Sequence, residues 1–327
     1  MSIVQRQIIF DPIPHKYTDT LGNIYTSVTT LIDKYHEKFD IKGMARRCAQ
    51  AGLRGNPKYA GKTAAQLERE WKKTTEEACE WGSEKHDYND NSIKSSNGFF
   101  DFFKGIDTNK RINTYSIYDI SLNPAFGEVD LNKLTEAGFA ISYPIIFNFL
   151  EVLVENGWKL YSEILTYNAD SLVCGMIDLL AIKGKDFIII DWKTNAADIM
   201  FESGYFIKNV FGERTSEFRH TNNKMVIPGF NIPDSVGHKY SLQLSLYAHL
   251  ITLFGYNYLG GVIFHIRREL YNKNNIPTEY TYLKDILLDK PKTDIVEALD
   301  LREACIAMLN DHRSKLKVNT QLNLLAK

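Results

Sequence analysis

The stretch Leu172-Val-Cys-Gly-Met-Ile-Asp-Leu-Leu-Ala-Ile-Lys-Gly-Lys-Asp-Phe-Ile-Ile-Ile-Asp-Trp-Lys193 decides how the chain folds. Two apolar runs flank the polar turn Lys183-Gly-Lys-Asp186, which predicts antiparallel strands over about 172–182 and 187–193. Whether the turn closes by pairing Ile182 with Phe187 or Lys183 with Asp186, Asp178 comes to face Asp191. Side chains alternate along a strand, so Asp191 and Lys193 share one face, roughly 7 Å apart along the chain.

Two carboxylates opposite each other on a β ladder repel and destabilise it. These two also interrupt apolar runs, Leu-Leu-Ala-Ile after one and Phe-Ile-Ile-Ile before the other. Such a pair at the end of a buried sheet calls for a cation, and hard divalent ions such as Mg²⁺ or Mn²⁺ take oxygen ligands of this kind. Lys193 beside them can stabilise developing charge on a phosphate or hold an attacking water. The plain alternative is an Asp–Lys pair at a strand end.

Working outward, residues 1–30 read as a hairpin turning within Tyr17-Thr-Asp-Thr-Leu-Gly-Asn-Ile-Tyr25, with Ser27 or Thr29 capping a helix into Leu31. Thr74-Thr-Glu-Glu77 fits a capping box and predicts a helix to about residue 90, with Gly82 and His86 on one face. Residues 92–135 are expected to be irregular or partly helical. Pro144 opens a helix that Gly157 ends, and a strand over about 160–168 precedes the decisive pair. The segment 195–237 reads as loop-rich. A helix over about 239–254 carries a leucine stripe, a strand covers 261–266, and a last amphipathic helix is expected over about 293–316. Helix, three strands, helix and strand make a mixed α/β core.

Gly-x-x-Asp, then about a dozen residues, then Asp-x-Lys-Thr resembles the signature of PD-(D/E)XK nucleases. Gln243-Leu-Ser-Leu-Tyr247 and the upstream Gly82-Ser-Glu-Lys-His86 resemble the flanking motifs of that superfamily's RecB-like branch, in the branch's order. The N-terminal hairpin and Ser27-Val-Thr-Thr30 look like phage-encoded members. The resemblance implies a restriction-endonuclease-like core, a central mixed sheet flanked by helices, with helical and loop insertions. It implies a metal-dependent DNA exonuclease of phage or bacterial recombination and repair. By resemblance Asp178, Asp191, the carbonyl of Trp192 and His86 are metal ligands, and Lys193 is catalytic. Gln243 and Tyr247 orient the site or contact DNA, and Glu163 sits near the metal or is structural. Gly82 in a helix interior costs about 1 kcal/mol, which points to close packing against the sheet. Iron–sulfur members carry one early and three clustered late cysteines. Only Cys305 is late here, so no cluster is expected.

The expected organisation is one nuclease domain over 1–327. The hairpin and helical part with Gly82 and His86 fills 1–135, the catalytic core 137–270, and a C-terminal helix lies within 285–327. A net charge of -1 favours no nucleic acid by itself. Residues 42–73, however, carry nine cations and two carboxylates, including Arg46, Arg47 and Arg54. They form a phosphate-gripping wall or a solvated helical face. The segment 195–237 interleaves Phe206, Arg214, Phe218, Arg219 and Lys224, which suits single-stranded DNA or an ordinary packed loop. Cys48, Cys79, Cys174 and Cys305 form no CxxC pair, which suits a reducing cytoplasm, the host's if the chain is phage-encoded. No apolar run approaches the roughly 20 residues of a membrane span, and the N-terminus has no signal-peptide pattern. DNA ends are the expected partner, with a single-strand annealing or recombination protein beside them. Three rivals stay open: a structure-specific DNA endonuclease on the same core, an RNA endonuclease, and a nuclease-like protein that only binds nucleic acid.

Overall fold

The structure is a computed structural model that describes residues 6–11, 16–104, 115–122, 126–209, 214–267 and 292–325. In chain order the elements begin with β1 (Ile8–Asp11), β2 (Lys16–Asp19), β3 (Ile24–Ser27), α1 (Val28–Ile32), α2 (Ile41–Leu53) and α3 (Ala64–Ser96). Short helices α4 (Phe99–Phe102), α5 (Ile117–Leu122), α6 (Leu131–Glu136) and α7 (Phe139–Ser142) lead into α8 (Pro144–Glu155). Then come β4 (Lys159–Asn168), β5 (Val173–Lys183), β6 (Asp186–Lys193), β7 (Gly204–Lys208) and β8 (Arg214–His220). The last elements are α9 (Val236–Thr252), β9 (Asn257–Arg267), β10 (Lys292–Ala298) and α10 (Arg302–Leu325).

Ile182 faces Phe187 and Leu179 faces Ile190 across the turn between β5 and β6, the register expected from the sequence. Eight strands form one mixed sheet, in order β1-β2-β3-β5-β6-β9-β10, with β4 alongside β5. The β3–β5 and β6–β9 pairs are parallel. One edge of β5 is taken by β4, with Glu163 and Asp178 left out of the pairing. The other is shared: Leu179–Lys183 pair with β6, whereas Val173 and Cys174 pair with β3. Between these contacts lies Gly175–Asp178, where β6 and β3 diverge. This fork is where Asp178 sits.

The pleat sends alternate residues into two layers. Leu179, Ala181, Ile190 and Trp192 pack against Ile146, Leu150 and Leu153 of α8 and Ile93 of α3. Leu180, Ile182, Phe187 and Ile189 pack against Leu242, Leu246 and Leu250 of α9 and against α1 and α10. Each fully buried leucine contributes about 1.5–3 kcal/mol of apolar burial, so the α9 stripe fixes that helix firmly on the sheet. Asp178, Asp191 and Lys193 have the parity of the α9 face.

Four expectations are corrected. The long helix begins at Ala64, not at Thr74: Thr63 and Gln66 form the capping box, and Thr74 instead donates to the Glu70 carbonyl. Both threonines match the pattern, but inside a helix the hydroxyl turns back to its own preceding turn. The C-terminal helix starts at Arg302, and Lys292–Ala298 form strand β10 along β9. Residues 285–291, at the start of that expected segment, lie outside the described residues. The sheet also reaches beyond 137–270, taking β3 from the N-terminal hairpin and β10 from the C-terminal part. Finally, 195–237 is less irregular than expected, because β7 and β8 form a two-stranded ribbon. No helix among the described residues is long and apolar enough to cross a membrane.

Candidate active site

The ladder between β5 and β6 ends at Leu179 and Ile190, so Asp178 and Asp191 are the first residues past its paired part. The backbone N–H of Trp192 donates to Asp178 Oδ2 at 2.9 Å. The two carboxyl groups lie close enough for the charge of Asp178 to raise Asp191. Asp191 is 1 % exposed. The ammonium of Lys193 pairs with Asp191 Oδ2, and Gln243 Nε2 donates to Asp191 Oδ1 at 3.2 Å. Gln243 Nε2 also reaches the Tyr247 hydroxyl at 3.4 Å.

Burial drives the electrostatics. It raises both carboxyl groups, Asp191 to about 6 against the opposing pull of Lys193, with Asp178 adding to the rise. On Lys193 burial works against the charge, but Asp191 and Asp178 outweigh it and hold the ammonium protonated. Glu163 is raised to about 8 by burial, then by Asp178 and Asp90. Its backbone has φ of 55°, an uncommon conformation for a residue with a side chain. Glu163 therefore belongs to the acidic surroundings of Asp178.

Two glycines admit the neighbouring helices. A Cβ at Gly175 would lie 2.6 Å from Tyr247 Cε1, so only glycine leaves room for that ring beside β5. A Cβ at Gly82 would lie 2.9 Å from Thr194 Oγ1, which brings α3 hard against the end of β6, as its helix-interior cost implies. One turn on, His86 Nδ1 stands 3.5 Å from Asp178 Oδ2. Burial lowers the His86 pKa and favours the neutral imidazole. Thus His86, Asp178, Asp191, Trp192, Lys193, Gln243 and Tyr247 all meet at the fork.

The oxygens of Asp178 and Asp191 and the carbonyl of Trp192 form a donor set suited to a hard divalent cation. Mg²⁺ in particular is held by one or two carboxylates and fills its shell with water or phosphate oxygen. Among the described residues, no three His, Cys, Asp or Glu side chains converge as a ready metal cage. A cation held by the carboxylate pair would have to draw its other ligands from solution or substrate. The sequence pointed to each of these groups, but not to Tyr240, Asn195, Ser162 or Asp90. Ser162 Oγ donates to Asp90 Oδ1 at 2.6 Å and lies 3.1 Å from the Asp178 carbonyl. Tyr240 was legible in principle, three residues before Gln243 on the same helical stripe.

A groove of about 660 Å³ opens beside these groups, lined by Thr74, Thr75, Gly82, Ser83 and His86 on α3 and by Lys193, Asn195 and Tyr240 opposite. Helix α2 packs on α3 and buries only Ala45, while Lys42, Arg46, Arg47 and Arg54 are exposed. No carboxylate pairs with those four among the described residues, whereas Lys62, Lys72 and Lys73 pair with Glu70, Glu76 and Glu77. In the β7–β8 ribbon the Phe206 and Phe218 rings lie 4.9 Å apart. Arg214 is engaged there: its guanidinium lies 3.4 Å from the Phe206 ring centroid and 2.7 Å from Asp198. Asp198 also pairs with Arg267, which pairs with Asp294 on β10, so Arg214 anchors the ribbon to the sheet. Arg219 and Lys224 are exposed, with no ion pair among the described residues. No family model, no curated protein and no solved structure matches the chain.

Proposed function

We propose that the chain is a metal-dependent nuclease with a PD-(D/E)XK-type centre of the RecB-like kind, hydrolysing phosphodiester bonds in DNA. One observation carries this reading: the buried carboxyl group of Asp191 and the half-buried one of Asp178 meet Lys193 at a strand fork, and Lys193 and His86 line the adjoining groove. A site built only for binding has no need of carboxylates forced together at the cost of burial.

Asp178, Asp191 and the Trp192 carbonyl would hold a Mg²⁺ or Mn²⁺ ion, with neutral His86 beside Asp178. When bound, the ion supplies Lewis-acid charge and a more acidic water. The chain's own residues do the rest. The Trp192 N–H fixes one Asp178 oxygen and Gln243 fixes one Asp191 oxygen, so both carboxylates are held before substrate arrives. Lys193 keeps its proton and sets a positive charge where negative charge develops on the phosphate. Tyr247 fills the space left by Gly175 and keeps α9, and with it Gln243, against the sheet. The exposed cations of α2 would meet the phosphate backbone, and the aromatic ribbon unpaired bases.

The deciding assay uses purified protein with Mg²⁺ or Mn²⁺ on end-labelled duplex and single-stranded DNA, with RNA in parallel. Wild-type protein should cleave DNA, and chelation with EDTA should abolish cleavage. Lys193→Ala should bind DNA at near-normal affinity and lose about 10²–10³ in turnover, the scale of one lost charge-stabilising group. Cleavage of RNA alone would move the reading to a ribonuclease. Metal-independent cleavage, or an unimpaired Lys193→Ala protein, would refute it.

A further inference from the structure

Helix α9 presents Tyr240, Gln243 and Tyr247 three and four residues apart, on one stripe. Each meets a different part of the site. Tyr247 packs at Gly175, and Gln243 holds Asp191. Tyr240 places its ring centroid 4.7 Å from Lys193 Nζ. The ring is itself fixed, because the Tyr240 hydroxyl donates to Asn195 Oδ1 at 3.1 Å. Asn195 in turn is tied down where β6 ends, its carbonyl accepting from His265 Nε2 at 2.8 Å. His265 stands directly opposite Lys193 in the β6–β9 ladder, and it is buried.

We infer that Tyr240 is a positioning residue for Lys193, its ring face holding the ammonium at the groove end of the carboxylate pair. The physical case has two parts. A lysine stem has four rotatable carbons, and the Asp191 pair alone leaves the ammonium free to swing about one oxygen. An aromatic face attracts a cation without taking any of its hydrogen-bond donors. Between carboxylate and ring, Lys193 keeps donors free to face the groove, where a substrate phosphate would lie. The Asn195 link stops the ring turning out of this position. The proposal deepens the nuclease reading and rests on it for the role of Lys193, but the placement of the ammonium can be tested separately.

The experiment compares the full-length wild type with Tyr240→Leu and Tyr240→Phe. The first readout needs no nuclease activity: limiting acetylation with acetic anhydride, followed by mass spectrometry of Lys193 against an exposed reference lysine such as Lys72. Loss of the ring should raise Lys193 labelling about tenfold in Tyr240→Leu, the order expected for a partly desolvated cation–π contact. Tyr240→Phe, which keeps the ring, should restore most of the protection. The second readout is DNA cleavage with Mg²⁺. Tyr240→Leu should lower kcat about tenfold with KM little changed, and Tyr240→Phe should recover most of that loss. Wild-type labelling in Tyr240→Leu would overturn the proposal. So would a rise in KM at constant kcat, which would make Tyr240 a substrate contact, or a Phe variant as impaired as Leu, which would assign the effect to the hydroxyl. If the wild type cleaves nothing, the nuclease reading fails, and the labelling result still decides whether Tyr240 holds Lys193.

Discussion

Glu163 shows what it costs to gather acids around Asp178. Its carboxyl is raised to about 8, first by burial and then by Asp178 and Asp90. In the unfolded chain it ionises in the ordinary carboxylate range, so from there up to about pH 8 the folded state binds the extra proton. The stability this group contributes is complete at acid pH and is lost as pH rises through that window. Glu163→Gln keeps the shape and removes the titration. Thermal melts should therefore show the wild type falling more steeply than Glu163→Gln between pH 5 and 8, with the variant ahead by at least about 2 °C at the upper end. Parallel curves would mean that Glu163 is solvated and its carboxyl unperturbed. Asp19 is the opposite case. Burial alone would raise it, but hydrogen bonds from Asn23, the Leu21 N–H and Tyr25 hold it below the usual range. Its support for the β2–β3 turn is present above the ordinary carboxylate range and lost as pH falls below it.

The elements that carry the site are tied to each other through very small clearances. Helix α9 can approach β5 only because position 175 has no side chain. Gly175→Ala should destabilise the fold by about 1–3 kcal/mol, the usual cost of overpacking a filled core. Shortening the opposing ring should relieve the clash, so Gly175→Ala combined with Tyr247→Ala should cost less than the sum of the single changes. Additive losses in denaturant melts would place the strain elsewhere. Helix α2 makes a different contribution, since it buries one alanine and leaves its cations outward. Replacing Arg46, Arg47 and Arg54 together by Ala should reduce the salt slope of duplex DNA binding by about 2–3, near 0.9 per phosphate contact. An unchanged slope would make this face merely solvated.

If the chain is a nuclease, the whole molecule sets which form of DNA it would accept. Lys193 and His86 line a groove, and the exposed cations of α2 and the aromatic ribbon offer contacts for phosphate and bases. On the nuclease reading, such a molecule would favour a strand that enters from an end. Linear DNA should be degraded progressively to short products while covalently closed circles are spared. Phe218→Ala should weaken single-strand affinity on the order of tenfold, from stacking worth roughly 1–3 kcal/mol per base, without changing metal dependence. Rapid nicking of closed circles would favour a structure-specific endonuclease on the same core and leave the metal chemistry intact.

The sequence by itself determined the strand–turn–strand unit, its register, and therefore the meeting of Asp178, Asp191 and Lys193. Those follow from local rules: a period of two, a short polar turn, and apolar runs that must be buried. It determined α8 and α9 by the same logic, and Ser27 as one of two possible caps for α1. Only the tertiary structure decided that β3 joins β5 in parallel and that Lys292–Ala298 is a strand. Both depend on partners far away in the chain, and a short segment with half-buried residues reads as helix or strand until its neighbour is known. The choice of Thr63 over Thr74 was likewise open locally, since both fit a capping box. The seat of Lys193 against Tyr240 could not be read at all, because side chains on β6 and α9 meet only once the α9 stripe has buried itself on the sheet.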